Sequence, residues 1–271
     1  MSQRSRGAIL LATMTTARRL SRRRVSFLLV LLIASSSLLL GSALTTTALR
    51  ATHLSSGCRD RPQVALTFDD GPNPPYTQQI LDVLRERNVK ATFFVEGEAA
   101  AAHPDLLREE SELGMTVGSH SYSHSEELSR AGPDDFQSDL KHAEAVIEGI
   151  VGYRPRLYRA PYGHTSETML RELYRAGYVS IGWDTDSADW RDLPADQIAG
   201  NVLSEAHSGA IVLLHDGGLG GGNPDRTNTV QALPQIIDGL RERGYEPVTV
   251  SELTGVPAAQ DGSKVRPCSR S

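Results

Sequence analysis

The sequence predicts an α/β fold built on a parallel sheet. Two observations carry this. Short apolar runs rich in β-branched and aromatic residues alternate with longer segments whose apolar residues recur at helical spacing. The polar residues with chemical potential then fall just past the C-terminal ends of the strand-like runs, where parallel α/β folds build their sites. Either a (β/α) barrel or an open doubly wound sheet satisfies both observations.

The strand candidates are residues 64–68, 91–95, 115–118, 156–159, 178–183, 210–214 and 246–250. Each is short and apolar, as strands buried on both faces are. Between them, Phe136, Leu140, Ala143, Ile147 and Ile150 form an apolar helical stripe, with Asp134 and Asp135 at its start and Gly152 at its end. Leu170, Leu173 and Tyr174 repeat the pattern before Gly177. Ile198, Val202 and Ala206 do so before Gly209, and Val230, Leu233, Ile237 and Leu240 before Gly244. The run from Gly217 to Gly222 reads as a mobile loop.

The chain has 271 residues and a net charge of −5. That charge is unevenly spread. Seven Arg and no acid occupy residues 1–24, so the remainder carries 21 basic against 33 acidic residues. An acidic domain of this kind excludes nucleic acid as a partner, because phosphate binding needs Lys and Arg. Residues 25–44 hold no charge and are long enough to span a bilayer of roughly 30 Å as a helix. Arg before the run orients its N-terminus to the cytoplasm. The expected organisation is therefore an Arg-rich cytoplasmic segment over 1–24, then a single-pass anchor over 25–44. A cleaved signal is the rival reading of that run, with Thr46 and Ala48 near a plausible cleavage site. A linker follows over 45–60, a catalytic domain over 61–255 and a tail over 256–271. Either reading of the apolar run places the domain outside the cytoplasm. Cys58 and Cys268 are the two cysteines. An exported chain permits a disulfide between them, and two free thiols are the alternative.

The most informative residues are Thr67-Phe68-Asp69-Asp70-Gly71-Pro72. Two adjacent carboxylates repel each other, and a bound cation relieves the conflict while leaving one of them free as a base. Imidazoles suited to such a cation lie at His120 and His124, four residues apart and on one face if the segment is helical or tightly turned. Two His and one carboxylate leave positions open for water and substrate.

These motifs, with Arg159-Ala160-Pro161-Tyr162-Gly163, the segment Asp184 to Trp190, and Leu213-Leu214-His215, occur in the order and rough spacing of a known family. The chain resembles the polysaccharide deacetylases of carbohydrate esterase family four over about residues 61–253. The resemblance implies a distorted, incomplete (β/α) barrel of about seven parallel strands. It implies Asp70, His120 and His124 as ligands of Zn2+, with Co2+ and similar ions fitting the same donors, and Asp69 as catalytic base paired with Arg159. It further implies His215 as general acid beside Asp189, the Tyr162 N–H facing the developing oxyanion, and Trp190 and Leu213 around the acetyl methyl. The remaining residues His53, His103, His142, His164 and His207 match no motif and read as surface or structural.

The activity so implied is removal of N-acetyl groups from a cell-envelope or chitin-like polysaccharide by a monomeric, membrane-held hydrolase. An O-acetyl esterase on a polymer such as xylan would use the same machinery. A membrane-tethered glycan-binding protein with a dead site would lack ligands, and none is missing from the sequence.

Overall fold

The computed structural model describes residues 53–218 and 225–262. The segments expected at 1–24 and 25–44, and most of the Gly-rich loop, lie outside the described residues. No helix among the described residues is long and apolar enough to cross a membrane. The described residues fall in one compact unit.

Nine strands appear among the described residues, in chain order: β1 His53–Leu54, β2 Gln63–Asp69, β3 Thr92–Val95, β4 Thr116–Ser119, β5 Leu157–Tyr158, β6 Val179–Ile181, β7 Thr185–Asp186, β8 Ile211–His215 and β9 Glu246–Val248. Eight run side by side in the order β1-β6-β5-β4-β3-β2-β8-β7, and β9 pairs with β2 off this path. Every paired strand is parallel. The sheet ends near β6 on one side and β7 on the other, yet only three residues of chain separate these strands. It therefore curls into a half-barrel rather than lying open, which settles the choice that pattern alone leaves.

The expectation of seven strands is corrected. The seven are present, and β1 and β7 add to them. Both additions are two residues long, too short to show any periodicity. β1 also corrects the linker expected over 45–60, because residues 53–60 are built into the domain. Leu54 accepts a hydrogen bond from the Gly182 N–H, Gly57 donates to Gly209 and Cys58 donates to Leu253. Cys58 is disulfide-bonded, and Cys268, the sequence's other cysteine, lies outside the described residues. The tail expected from 256 likewise begins inside the domain. Val256 is buried, and Pro155 forms a bridge with Ala259.

Among the described residues, eight helices surround the sheet: α1 Tyr76–Glu86, α2 Gly97–Ala102, α3 Pro104–Glu112, α4 Pro133–Val151, α5 Glu167–Arg175, α6 Ala195–Glu205, α7 Thr227–Glu242 and α8 Val250–Thr254. In α4 the buried residues are Phe136, Leu140, Ala143 and Ile147, and Gly152 ends the helix at φ 79°, as its sequence predicts. In α5 the stripe is rotated from the expected one. Met169 and Leu173 are buried against Tyr158 and Tyr178, whereas Tyr174 is exposed. The side chain of Ser166 accepts from the Met169 N–H and so starts this helix at Glu167, three residues before the expected stripe. Residues 249–250, expected in the last strand, instead begin α8, where Thr249 and Glu252 form a capping box.

Period-two alternation sorts the strand residues between two cores. Val64, Leu66 and Phe68 of β2, Phe93 and Val95 of β3, and Val212 and Leu214 of β8 pack with the helices. Ala65, Phe94 and Ile211 belong to a second, inner cluster with Leu157, Val179 and Ile181. Burying each such apolar side chain contributes about 1.5–3 kcal/mol. The same alternation sends Thr67 and Asp69 of β2, and Leu213 and His215 of β8, to the inner side. Asp69 pairs in register with His215, so both carry their side chains to the same rim.

Candidate active site

Asp69 ends β2, and Asp70 follows it at φ 76°. A left-handed backbone at a residue with a Cβ is uncommon and needs support from its surroundings. The support is close packing. A Cβ on Gly217 would lie 2.0 Å from the Asp70 carbonyl oxygen, and one on Gly71 would lie 1.9 Å from Asp216 Oδ2. Only glycines let the two loops meet here.

His120 follows β4, and the next four residues form a tight turn, not a helix. Ser121 sits at φ 69° and His124 at φ 48°. The Nδ1 of His120 lies 2.9 Å from the Arg159 carbonyl, to which it donates, leaving Nε2 to face Asp70. The Nε2 atoms of His120 and His124 each approach Asp70 Oδ1 to 3.3 Å. All three side chains are buried, and their donor atoms lie within 4.8 Å of one another. Burial, followed by the charge of His120, lowers His124 to about 4, so it is neutral as a ligating imidazole must be. Burial acts to raise the Asp70 carboxyl, but the hydrogen bond from His120 and the neighbouring His charges outweigh it and hold it low. Asp70 Oδ2 is buried without a protein partner. Two imidazole nitrogens, a carboxylate and an orphaned carboxylate oxygen at one point fit a divalent cation of the zinc type.

Asp69 is held from below. Arg159, fully buried just past β5, donates through Nη1 to Asp69 Oδ1 at 2.7 Å and to Thr67 Oγ1 at 2.7 Å. Its Nη2 donates to the Gly182 carbonyl at 3.0 Å, and its guanidinium stacks 4.2 Å from the Phe94 ring centre. This is the Arg159–Asp69 pairing that the family resemblance implies.

Asp189 and His215 form a second pair. His215 Nδ1 lies 2.7 Å from Asp189 Oδ1, and its backbone N–H donates to Asp189 Oδ2 at 2.8 Å. Thr229 Oγ1 also donates to Oδ2, at 2.9 Å. Asp189 opens a single 3-10 turn, Asp189–Arg191, between left-handed Ala188 and Asp192. Burial acts to lower His215, but the charge and hydrogen bond of Asp189 outweigh it, and the imidazolium persists to about 9.

A cleft of about 860 Å³ gathers these groups. Asp69, Asp70, His120, His124, Tyr162, Asp189, Trp190, Leu213 and His215 all line it. Arg159 does not line it but lies beneath it, bonded to Asp69 through its guanidinium and to His120 through its carbonyl. Trp190, whose default reading is core, is 52% exposed and stacks with Arg191. Tyr162 stands in the turn Pro161–Gly163 at φ 57°, with its ring 4.7 Å from that of His124. Asp184, part of the fourth motif, is elsewhere: it pairs with His207 at 3.2 Å and accepts from the Ile211 N–H.

Several contributors were not anticipated. Thr67 was legible in principle, since it lies two residues before Asp69 on the same strand face. Asp186 lies within the fourth motif but was not singled out there, and Thr229, Trp183 and Arg226 carry no motif signal. They reach the cleft or its carboxylates through the fold alone.

Comparison with known proteins gives a consistent picture. The family described as polysaccharide deacetylase matches residues 56–181, a span that holds Asp69, Asp70, His120, His124 and Arg159 but stops before Asp189 and His215. A peptidoglycan-N-acetylglucosamine deacetylase of Bacillus cereus is 37% identical over 192 residues, covering 70% of this chain and 87% of the relative. A chitooligosaccharide deacetylase of a Bradyrhizobium species is 39% identical over 190 residues, covering 68% of this chain and 86% of the relative. Among solved structures, a peptidoglycan N-acetylglucosamine deacetylase in complex with 4-naphthalen-1-yl-N-oxidanyl-benzamide superposes with a TM-score of 0.74 at 32% identity. That match covers 80% of this chain and 99% of the other.

Proposed function

The chain belongs to the polysaccharide deacetylases of carbohydrate esterase family four, hydrolases that cleave amide C–N bonds of polysaccharides, and on that premise we propose a metal-dependent N-deacetylase of a cell-envelope or chitin-like glycan. The observation that supports this reading best is the meeting of Asp70 Oδ1 with the Nε2 atoms of His120 and His124 between two ion pairs. One pair, Arg159–Asp69, offers a carboxylate. The other, Asp189–His215, offers a proton.

Asp70, His120 and His124 would hold the ion, and Zn2+ suits this donor set. Such an ion supplies a Lewis acid for the acetamide carbonyl and lowers the pKa of water to about 7. Asp69 then accepts a proton at the carboxylate oxygen not held by Arg159. Arg159 fixes that carboxylate in direction. The Tyr162 backbone N–H faces the developing oxyanion, where a preorganised donor contributes most. His215, with Nδ1 bound to Asp189, gives the proton on Nε2 to the departing amine, which is too basic to leave without one. Leu213 and Trp190 shape the space for the acetyl methyl and the sugar.

The purified chain should release acetate from N-acetylglucosamine oligomers and from peptidoglycan, leaving free amines in equal amount. Acetate without new amine would point to ester substrates, and no acetate from either polymer would contradict the reading.

A further inference from the structure

The turn that carries the two imidazoles leaves two backbone donors at its tip. The carbonyls of Ser121 and Tyr122 are met by the N–H groups of Gly97 and Glu98 at the start of α2. The His124 N–H is met by its neighbour Ser121 Oγ at 3.0 Å. The N–H groups of Tyr122 and Ser123 point the other way, to one side chain on α4. Asp139 Oδ1 accepts from Tyr122 N at 2.9 Å, and Oδ2 accepts from Ser123 N at 3.2 Å and from Ser123 Oγ at 2.7 Å. One turn along the same helix face, His142 stacks on the Tyr122 ring, with centroids 3.6 Å apart at 12°.

We infer that Asp139 is a positioning residue for the metal centre, setting the affinity of the His120–His124 turn for its ion from outside the coordination sphere. The inference rests on the proposed metal site. Two residues of the turn, Ser121 and His124, sit in left-handed backbone that an ordinary residue avoids. Such a conformation persists only where its surroundings over-determine it. A carboxylate with both oxygens engaged satisfies three donors at once, and charged acceptors form the stronger hydrogen bonds. Asp139 is half-buried at the edge of a groove of about 520 Å³, beside Tyr122 and His142. Without its carboxylate, water in the groove would meet the two N–H groups, and the turn would keep only its bonds to Gly97, Glu98 and Ser121 Oγ, holding His124 less firmly against Asp70. The side chain is aspartate because its reach and its paired oxygens match adjacent backbone donors. It carries no motif signal, lying fifteen residues past His124.

The test is the dissociation constant for Zn2+, measured on the purified full chain by competition with a chromophoric chelator. Asp139→Ala should weaken binding about 10–100-fold, the usual effect of losing an outer-sphere partner. Its kcat at saturating Zn2+ should change far less than its Zn2+ affinity. Asp139→Asn, which keeps one oxygen acceptor, should recover part of the affinity, and Ser123→Ala should cost about threefold to tenfold. Ile147→Val, elsewhere on α4, controls for general loss of stability and should leave Zn2+ affinity unchanged. If Asp139→Ala does not fold, Asp139→Asn and Ser123→Ala decide the matter. Wild-type affinity in the folded Asp139 variants, or equal loss in Ile147→Val, would overturn the inference. Failure of the wild-type chain itself to bind Zn2+ would instead overturn the metal reading, and the inference with it.

Discussion

Arg159 is fully buried and donates at once to Asp69, Thr67 and the Gly182 carbonyl. Lysine could not replace it, since a single ammonium has neither the planar fork nor the reach for this set. His215 is governed by one partner in the same way. Asp189 keeps it protonated to about 9 against the opposing effect of burial. As a general acid His215 must be protonated, so kcat/KM should fall as pH rises through its pKa. A divalent charge at Asp70 pulls that pKa below its ion-free value. Asp189→Asn removes the carboxylate that holds it up, so the basic limb should move to lower pH, as a pH–rate profile will show. A basic limb that stays in place would mean that another group supplies the proton. These pairings were legible because each residue sits in a recognisable motif. Thr229 was not, because it reaches Asp189 across 40 residues of sequence from the first turn of a helix that looks ordinary.

At the scale of elements, strand existence was legible and strand ends were not. β2 declares itself by an unbroken apolar run. β1 and β7 are two residues each, and only their neighbours make them strands. The helical stripes expected from the sequence include neither α1 nor α3. In α3, Glu110 is fully buried at an apolar position, with neither carboxyl oxygen paired to protein. Burial, then the charges of Asp216 and Glu109, push it well above the usual carboxylate range. Its stability contribution is present below the unfolded value near 4.3 and is lost as pH rises toward the folded value. Glu110→Gln removes that loss. The variant should therefore melt higher than wild type at pH 8 and no higher at pH 4, measured by calorimetry. An equal difference at both pH values would show that packing, not charge, separates them.

For the whole molecule, composition and motif order pointed to the right class, while barrel and open sheet shared one pattern. What separates them is the three-residue step from β6 to β7, which returns the chain to the far edge of the sheet. The boundary before the catalytic domain was also illegible. Residues 53–60 look like a polar linker, yet β1 pairs with β6 and Gly182 donates to Leu54. A fragment begun at Arg61 would lack these contacts, so work on the isolated domain belongs to one begun at Thr52. The charge-free run at 25–44 leads us to propose that the domain sits outside the cytoplasmic membrane. A periplasm-active reporter fused after Ser271 should then be active, and an active cytoplasmic reporter at the same junction would contradict the proposal.

In the proposed function, Asp70, His120 and His124 hold the ion on which acetate release depends. Metal content and acetate release should be followed together on one preparation through chelation and Zn2+ return, beside the His120→Ala, His124→Ala double variant. About one ion per chain is expected, with loss of both quantities on chelation and recovery of both with Zn2+. The double variant should show neither ion nor activity while keeping its fold. Full acetate release from chelated enzyme, or from the double variant, would contradict it.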